Sequence, residues 1–169
     1  MRRAARVLAY IPEFVAGVCL LAVTLILFAG VIWRYFLVDP LTWTDEVARM
    51  LFVWLGFVGA AVGVKAGLHA SVSILAHRLP PVPRRVASLF SMLIVAIVAI
   101  VLVVVGAEQT VKSFSHEIMP VTGISKGWSQ LAVPIAGLLI LAYVAVQMRR
   151  ILAASIEAET TATRPAIPE

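Results

Sequence analysis

FVAGVCLLAVTLILFAGVIW, residues 14–33, runs for twenty residues between Glu13 and Arg34 without a charge. A helix needs roughly 20 mainly apolar residues to cross about 30 Å of hydrocarbon at 1.5 Å per residue. The stretch therefore reads as one complete membrane crossing, and the same measure finds three more. Met50–Val64 lies between Arg49 and Lys65 and is short, reaching only ~22 Å by helical rise. Trp43 to Arg49 must extend it, with Arg49 and Lys65 snorkelling toward water. Val86–Ala107 is rich in Val and Ile, and Leu131–Met148 is interrupted only by Pro134 near its start. In lipid the β-branched run is still expected to be helical, because a lone spanning strand leaves its backbone groups unsatisfied.

The expectation is an all-α membrane protein, one membrane domain with spans at about 14–35, 43–65, 86–108 and 130–149. Of 169 residues, 62% are hydrophobic and 14% charged, against about a quarter charged in an ordinary soluble domain. Arg2, Arg3 and Arg6 before the first apolar run could open a signal peptide. However, that run is long and lacks a small-x-small cleavage pattern, so it is expected to remain as a span.

The net charge of +5 is a matter of topology. Ten of the fourteen basic residues lie at the N-terminus, in the second loop and in the tail. Arg34, Arg49, Lys112 and Lys126 alone fall in the first and third loops. By the positive-inside rule both termini and the second loop are expected in the cytoplasm. No nucleic-acid footprint is needed to explain the basic character. The single cysteine, Cys19, excludes an internal disulfide and a multi-cysteine metal site.

Within the second loop, Leu68, Val72, Leu75 and Leu79 recur at helical spacing, and His69, Ser73 and His77 share another face. An interfacial amphipathic helix over about 68–79 is expected, between the second and third spans and ending at Pro80-Pro81. From about Ser155 to residue 169, Thr and Pro accumulate, and a solvated, disordered tail is expected.

The densest polar cluster runs from Asp39 through Trp43, Asp45 and Glu46 to Arg49. Asp39 could cap a helix begun by Pro40, or Thr42 could cap one with Asp45 three residues on. Asp45 and Glu46 stand four and three residues before Arg49, within pairing distance on a helix. The bland reading is a capped, charged helix start with Trp43 as an interfacial aromatic; the functional one is a docking surface for another protein. Gly59, Gly63 and Gly67 recur every four residues, a spacing that lets a neighbouring helix approach closely. Glu108 and Lys112 read as an exposed i, i+4 pair.

Three histidines raise the alternative of a haem-binding or structural anchor for a redox enzyme. Yet His69 and His77 fall on the expected arm and His116 in the third loop, outside every apolar span. No Asp, Glu, Lys, Arg or His occupies a span centre, where ion paths and substrate sites usually carry one.

The order of several elements resembles a family, the small DctQ-like membrane subunit of tripartite ATP-independent periplasmic (TRAP) transporters. The resemblance covers roughly residues 14–148. It rests on Arg34-Tyr35, Pro40, Trp43, Asp45-Glu46, the run Arg49 to Leu55, Gly59-Ala60, His69 and Leu79-Pro80, then on Pro120, Ile124, Trp128 and Pro134. Ser73 stands where the family often has a carboxylate. The resemblance implies a non-catalytic scaffold in a bacterial inner membrane, beside a large membrane subunit and served by a periplasmic substrate-binding protein. Such a complex takes up an organic acid or related anion. It also implies that this chain holds no cofactor and that sodium binds in the partner subunit. Arg34, Trp43, Asp45, Glu46, Arg49, Gly59, Gly63, Gly67 and His69 are the expected interface or structural residues. The small subunit of another tripartite carrier remains a further alternative.

Overall fold

The computed structural model describes residues 2–37, 41–66 and 81–162. Helix α1 spans Arg2–Ile32 and runs on into a π-helical turn, Trp33–Leu37; α2 spans Trp43–Lys65 and α3 Pro81–His116. A four-residue helix, α4 (Gly127–Gln130), leads into α5 (Ala132–Ala162). Four stretches are long and apolar enough to cross a membrane: Tyr10–Leu37, Trp43–Lys65, Leu89–His116 and Gly127–Arg149. The described residues form an all-α protein of four spans. Residues 67–80, which include the expected interfacial arm, lie outside the described residues.

The tail is a correction. Helix α5 continues to Ala162, past Ser155, where Thr and Pro content predicts an unstructured end. Ala153, Ala154, Glu157, Ala158 and Glu159 are strong helix formers and follow without a Gly or Pro, so their propensity carries the helix onward.

The spans are joined side by side in the order α1, α2, α5, α3, with α1 and α3 at the two margins. The core lies between the last three: Ala61 and Val64 of α2, Ala99 of α3, and Ile140 and Val144 of α5. Ala61 and Ala99 let the helices come close there, since the driving force between helices in lipid is close van der Waals contact rather than escape from water. Cys19 and Val23 of α1 are buried. At one end Glu13 of α1 forms an ion pair with Lys65 of α2, and the Lys65 ammonium stands 5.0 Å from the centre of the Tyr10 ring.

Glycine allows close approaches at Gly137, Gly106 and Gly30. A Cβ on Gly137 of α5 would lie 2.8 Å from Val103 Cγ2 and 3.0 Å from the Ala99 carbonyl oxygen of α3. One on Gly106 of α3 would meet Val133 at 2.8 Å and Pro134 at 3.0 Å. Pro134, without an N–H, thus sits near the start of α5 as a packing surface for α3. At the α1–α2 crossing, a Cβ on Gly30 would lie 3.0 Å from the Thr44 hydroxyl oxygen. By contrast, Gly56 and Gly59 of α2 face open space, and a Cβ added to either would have nothing within 4 Å.

These geometries separate two substitutions. Gly137→Ala pushes a methyl group into α3 backbone and is expected to cost about 1–3 kcal/mol. Gly59→Ala meets nothing and should leave the isolated chain as stable or slightly more so. Thermal unfolding of the two variants in mild detergent, compared with the parent chain, measures the difference.

Candidate functional site

The polar end of the helix row gathers the C-terminus of α1, the start of α2, the end of α3 and the 117–126 loop. That loop is a tight hairpin. Ile118 and Ser125 pair as an antiparallel bridge, and the Lys126 N–H donates to the Glu117 carbonyl at 3.0 Å. At the tip the Met119 N–H donates to the Ile124 carbonyl at 2.8 Å, and the Gly123 N–H donates to the Met119 carbonyl at 3.0 Å. Gly123 has φ +69°, a backbone conformation that glycine adopts without a Cβ penalty. Lys126 pairs with Glu117 at 3.2 Å across the base.

Glu46 holds this hairpin. Its Oε1 accepts the Val121 N–H at 3.0 Å, and its Oε2 accepts both the Thr122 N–H at 2.9 Å and the Thr122 hydroxyl at 2.8 Å. One carboxylate of α2 thus satisfies two backbone donors that the turn leaves open, with charge-assisted bonds stronger than neutral ones. Asp45, one residue earlier and on another face, pairs with Arg34 of the π-helical turn at 3.5 Å. Both partners are more than half exposed, so this pair adds little stability.

Two expected interactions give way to these. Neither Asp45 nor Glu46 forms an ion pair with Arg49, because each reaches a partner from another element instead. Thr42 occupies the N-cap position of α2, but its backbone is helical (φ −66°, ψ −25°) and its hydroxyl caps nothing. The neighbouring Thr44 is buried, and its hydroxyl donates to the Leu41 carbonyl at 2.6 Å. Asp39 and Pro40 lie outside the described residues. The Glu108–Lys112 pair forms at 2.6 Å on an exposed surface.

A second tie joins residues whose pairing the sequence does not reveal. Trp54 of α2 donates its indole N–H to the Trp128 carbonyl of α4 at 3.0 Å. The Trp128 ring meets Phe114 of α3 edge to face, with centroids 5.7 Å apart. Gly127 lies against the same Phe114 ring, where a Cβ would come within 2.4 Å. A tryptophan inside an apolar span needs a partner for its N–H, and that need is the signal that could have marked Trp54.

Trp43 and Arg49 are exposed, and Gly63 is half-buried on α2. Gly67 and His69 lie outside the described residues. His116, at the end of α3, contacts the Lys112 carbonyl oxygen at 3.3 Å through Nδ1. Among the described residues, no three His, Cys, Asp or Glu side chains converge as metal ligands would. Glu46, Asp45 and Trp54 each hold one element against another at this end.

Residues 23–154 match the family model of the tripartite ATP-independent periplasmic transporters, DctQ component. The chain belongs to the DctQ family. Among curated relatives of this DctQ-family protein, the sialic acid TRAP transporter small permease protein SiaQ of Vibrio cholerae is 30% identical over 105 residues. That match covers 62% of this chain and 60% of SiaQ. The C4-dicarboxylate TRAP transporter small permease protein DctQ of the same organism is 36% identical over 86 residues, 51% of this chain and 36% of the relative. The sialic acid TRAP transporter permease protein SiaT of Haemophilus influenzae is 30% identical over 131 residues. The match takes in 78% of this chain but only 21% of SiaT, so in SiaT a homologous segment belongs to a far longer permease. The family places the chain in a transport system, as a multi-pass membrane subunit. Its matched region takes in Glu46, Arg49, Trp54 and Thr122.

The hairpin latch has a direct test. Replacing Glu46 with Ala opens the Val121 and Thr122 amides, and hydrogen–deuterium exchange at those two residues should rise several-fold. Glu46→Gln keeps an acceptor and should fall between. Exchange in the middle of α3 should stay unchanged in both variants.

Proposed function

We propose that this chain is the small permease, or scaffold, subunit of a TRAP transporter in a bacterial inner membrane. It supports sodium-coupled uptake of an organic acid or related anion, together with a large membrane subunit and a periplasmic substrate-binding protein. The carrying observation is the DctQ family match over most of the chain, joined to a structure in which Glu46 holds the 117–126 loop against α2. The long SiaT permease supports a partner in the membrane, since a homologous segment there is continuous with a far longer polypeptide.

In this reading the chain is not an enzyme and carries no cofactor. Substrate and sodium bind in the partner subunit, and this subunit widens the fixed body against which the partner moves. Basic residues at the N-terminus, in the second loop and in the tail put both termini in the cytoplasm. The 117–126 hairpin then faces the periplasm.

Uptake in proteoliposomes tests the assignment. The chain alone should give none; the large subunit with this chain, the binding protein and a sodium gradient should give uptake that stops when sodium is replaced by potassium. Sodium-driven uptake by this chain alone would refute the scaffold role. Orientation has a separate check in a Cys19→Ala background. A single cysteine replacing Val121 should react with a membrane-impermeant maleimide from the periplasmic side, whereas a cysteine replacing Arg78 should react from the cytoplasmic side only.

A further inference from the structure

Helix α2 is an inner member of the row, with α1 on one side and α5 on the other, yet one of its faces has no neighbour. Asp45, Arg49, Phe52, Gly56 and Ala60 recur at spacings of three and four residues, and all five are exposed. The face differs from the exposed surfaces of α1 and α3. The outward side of α1 carries Phe14, Val18, Leu21, Leu25 and Phe28, and that of α3 carries Leu93, Ile97, Val101 and Val104, the bulky composition that lipid chains cover. On α2, the turns below Phe52 carry no bulk, and a Cβ on Gly56 or Gly59 would meet nothing within 4 Å.

Arg49 is the independent observation on this face. It stands six residues after Trp43, about 9 Å along the helix, inside a span. Among the described residues it makes no ion pair or hydrogen bond. It feels the field of Glu46, but both Glu46 oxygens are engaged by the hairpin, and Asp45 is engaged by Arg34. Ionisable side chains inside spans usually point into a protein interior and pair there, because a lone charge facing hydrocarbon is costly.

We infer that this face of α2 is the seat for a transmembrane helix of the large permease subunit, one whose carboxylate pairs with Arg49 and whose bulky apolar side chains fill the space over Gly56, Gly59 and Ala60. The inference rests on the subunit role proposed above, and it adds the face and the chemistry of the partner. SiaT, in which a homologous segment is continuous with a long permease chain, favours a permease helix as the occupant over a second copy of this chain. Glu46 is outside the seat, since its carboxylate is turned to the hairpin.

Photocrosslinking in the assembled complex tests it. Benzoylphenylalanine is placed singly at Phe52 on the seat, at Phe28 on α1 and at Val101 on α3, with the large subunit co-expressed. Irradiation should join the chain to the large subunit from Phe52, while Phe28 and Val101 give lipid adducts. If the complex purifies intact but Phe52 yields lipid adducts or dimers of this chain, the seat is overturned and the subunit assignment stands. If no large subunit co-purifies with the parent chain, the subunit assignment falls and the seat with it. Arg49→Glu and Gly56→Leu supply a second measurement. Each should lower recovery of the large subunit at least about tenfold, the scale expected for an unpaired interfacial charge or a blocked contact. Neither should lower the melting temperature of the isolated chain. Undiminished recovery in both would overturn the seat.

Discussion

Inside a bilayer every backbone N–H and C=O must find its partner within the protein, because hydrocarbon offers none. Where the chain stays helical the requirement is met locally. It becomes a problem of tertiary structure where helices end, and the polar end of this molecule shows the solution. The 117–126 segment turns back within a few residues, and the turn leaves the Val121 and Thr122 amides facing α2. Glu46 meets both, so a side chain near the start of the second span completes the backbone of a loop that follows the third. Helix α2 is thereby tied to the hairpin through Glu46 and to α4 through the indole of Trp54.

Packing between the helices follows a second rule of the same solvent. Lipid chains are as apolar as leucine, so helices gain by close contact and by surfaces that fit. Gly106 and Gly137 let α3 and α5 approach until a methyl group would strike side chain or backbone, and the buried core between α2, α3 and α5 includes Ala61 and Ala99. Among the described residues helix α1 packs chiefly on α2, with the Gly30–Thr44 contact at one end and the Glu13–Lys65 pair at the other. An extended row of this kind presents more side surface than a closed bundle would.

The acidic cluster shows how neighbouring residues divide their tasks. Asp45 and Glu46 are adjacent in sequence but project about 100° apart around α2. Asp45 meets Arg34 on an exposed surface, and Glu46 meets the hairpin. Arg49 is left facing outward, although helical spacing makes it the natural partner of either acid.

The four spans were determined by composition alone, because crossing hydrocarbon demands length and apolarity and both are additive along the chain. The family resemblance was legible for a related reason: Arg34, Trp43, Glu46, Arg49, Trp128 and Pro134 are sparse polar, aromatic and Pro landmarks in an apolar background, and their order survives without coordinates. Which partner each one takes was not legible. Local spacing offers Arg49 to Asp45 and Glu46, but Arg34 and the amides of Val121 and Thr122 arrive from 11 to 76 residues away and outcompete it. Likewise the four-residue glycine series marked α2 as a surface for close contact, yet a Cβ on Gly59 would meet nothing within 4 Å, whereas one on Gly30, Gly106, Gly127 or Gly137 would meet a close neighbour. A glycine in sequence records only that a side chain is missing; whether a neighbour occupies the space depends on how the helices are rotated against one another, and that is settled by packing among all of them at once.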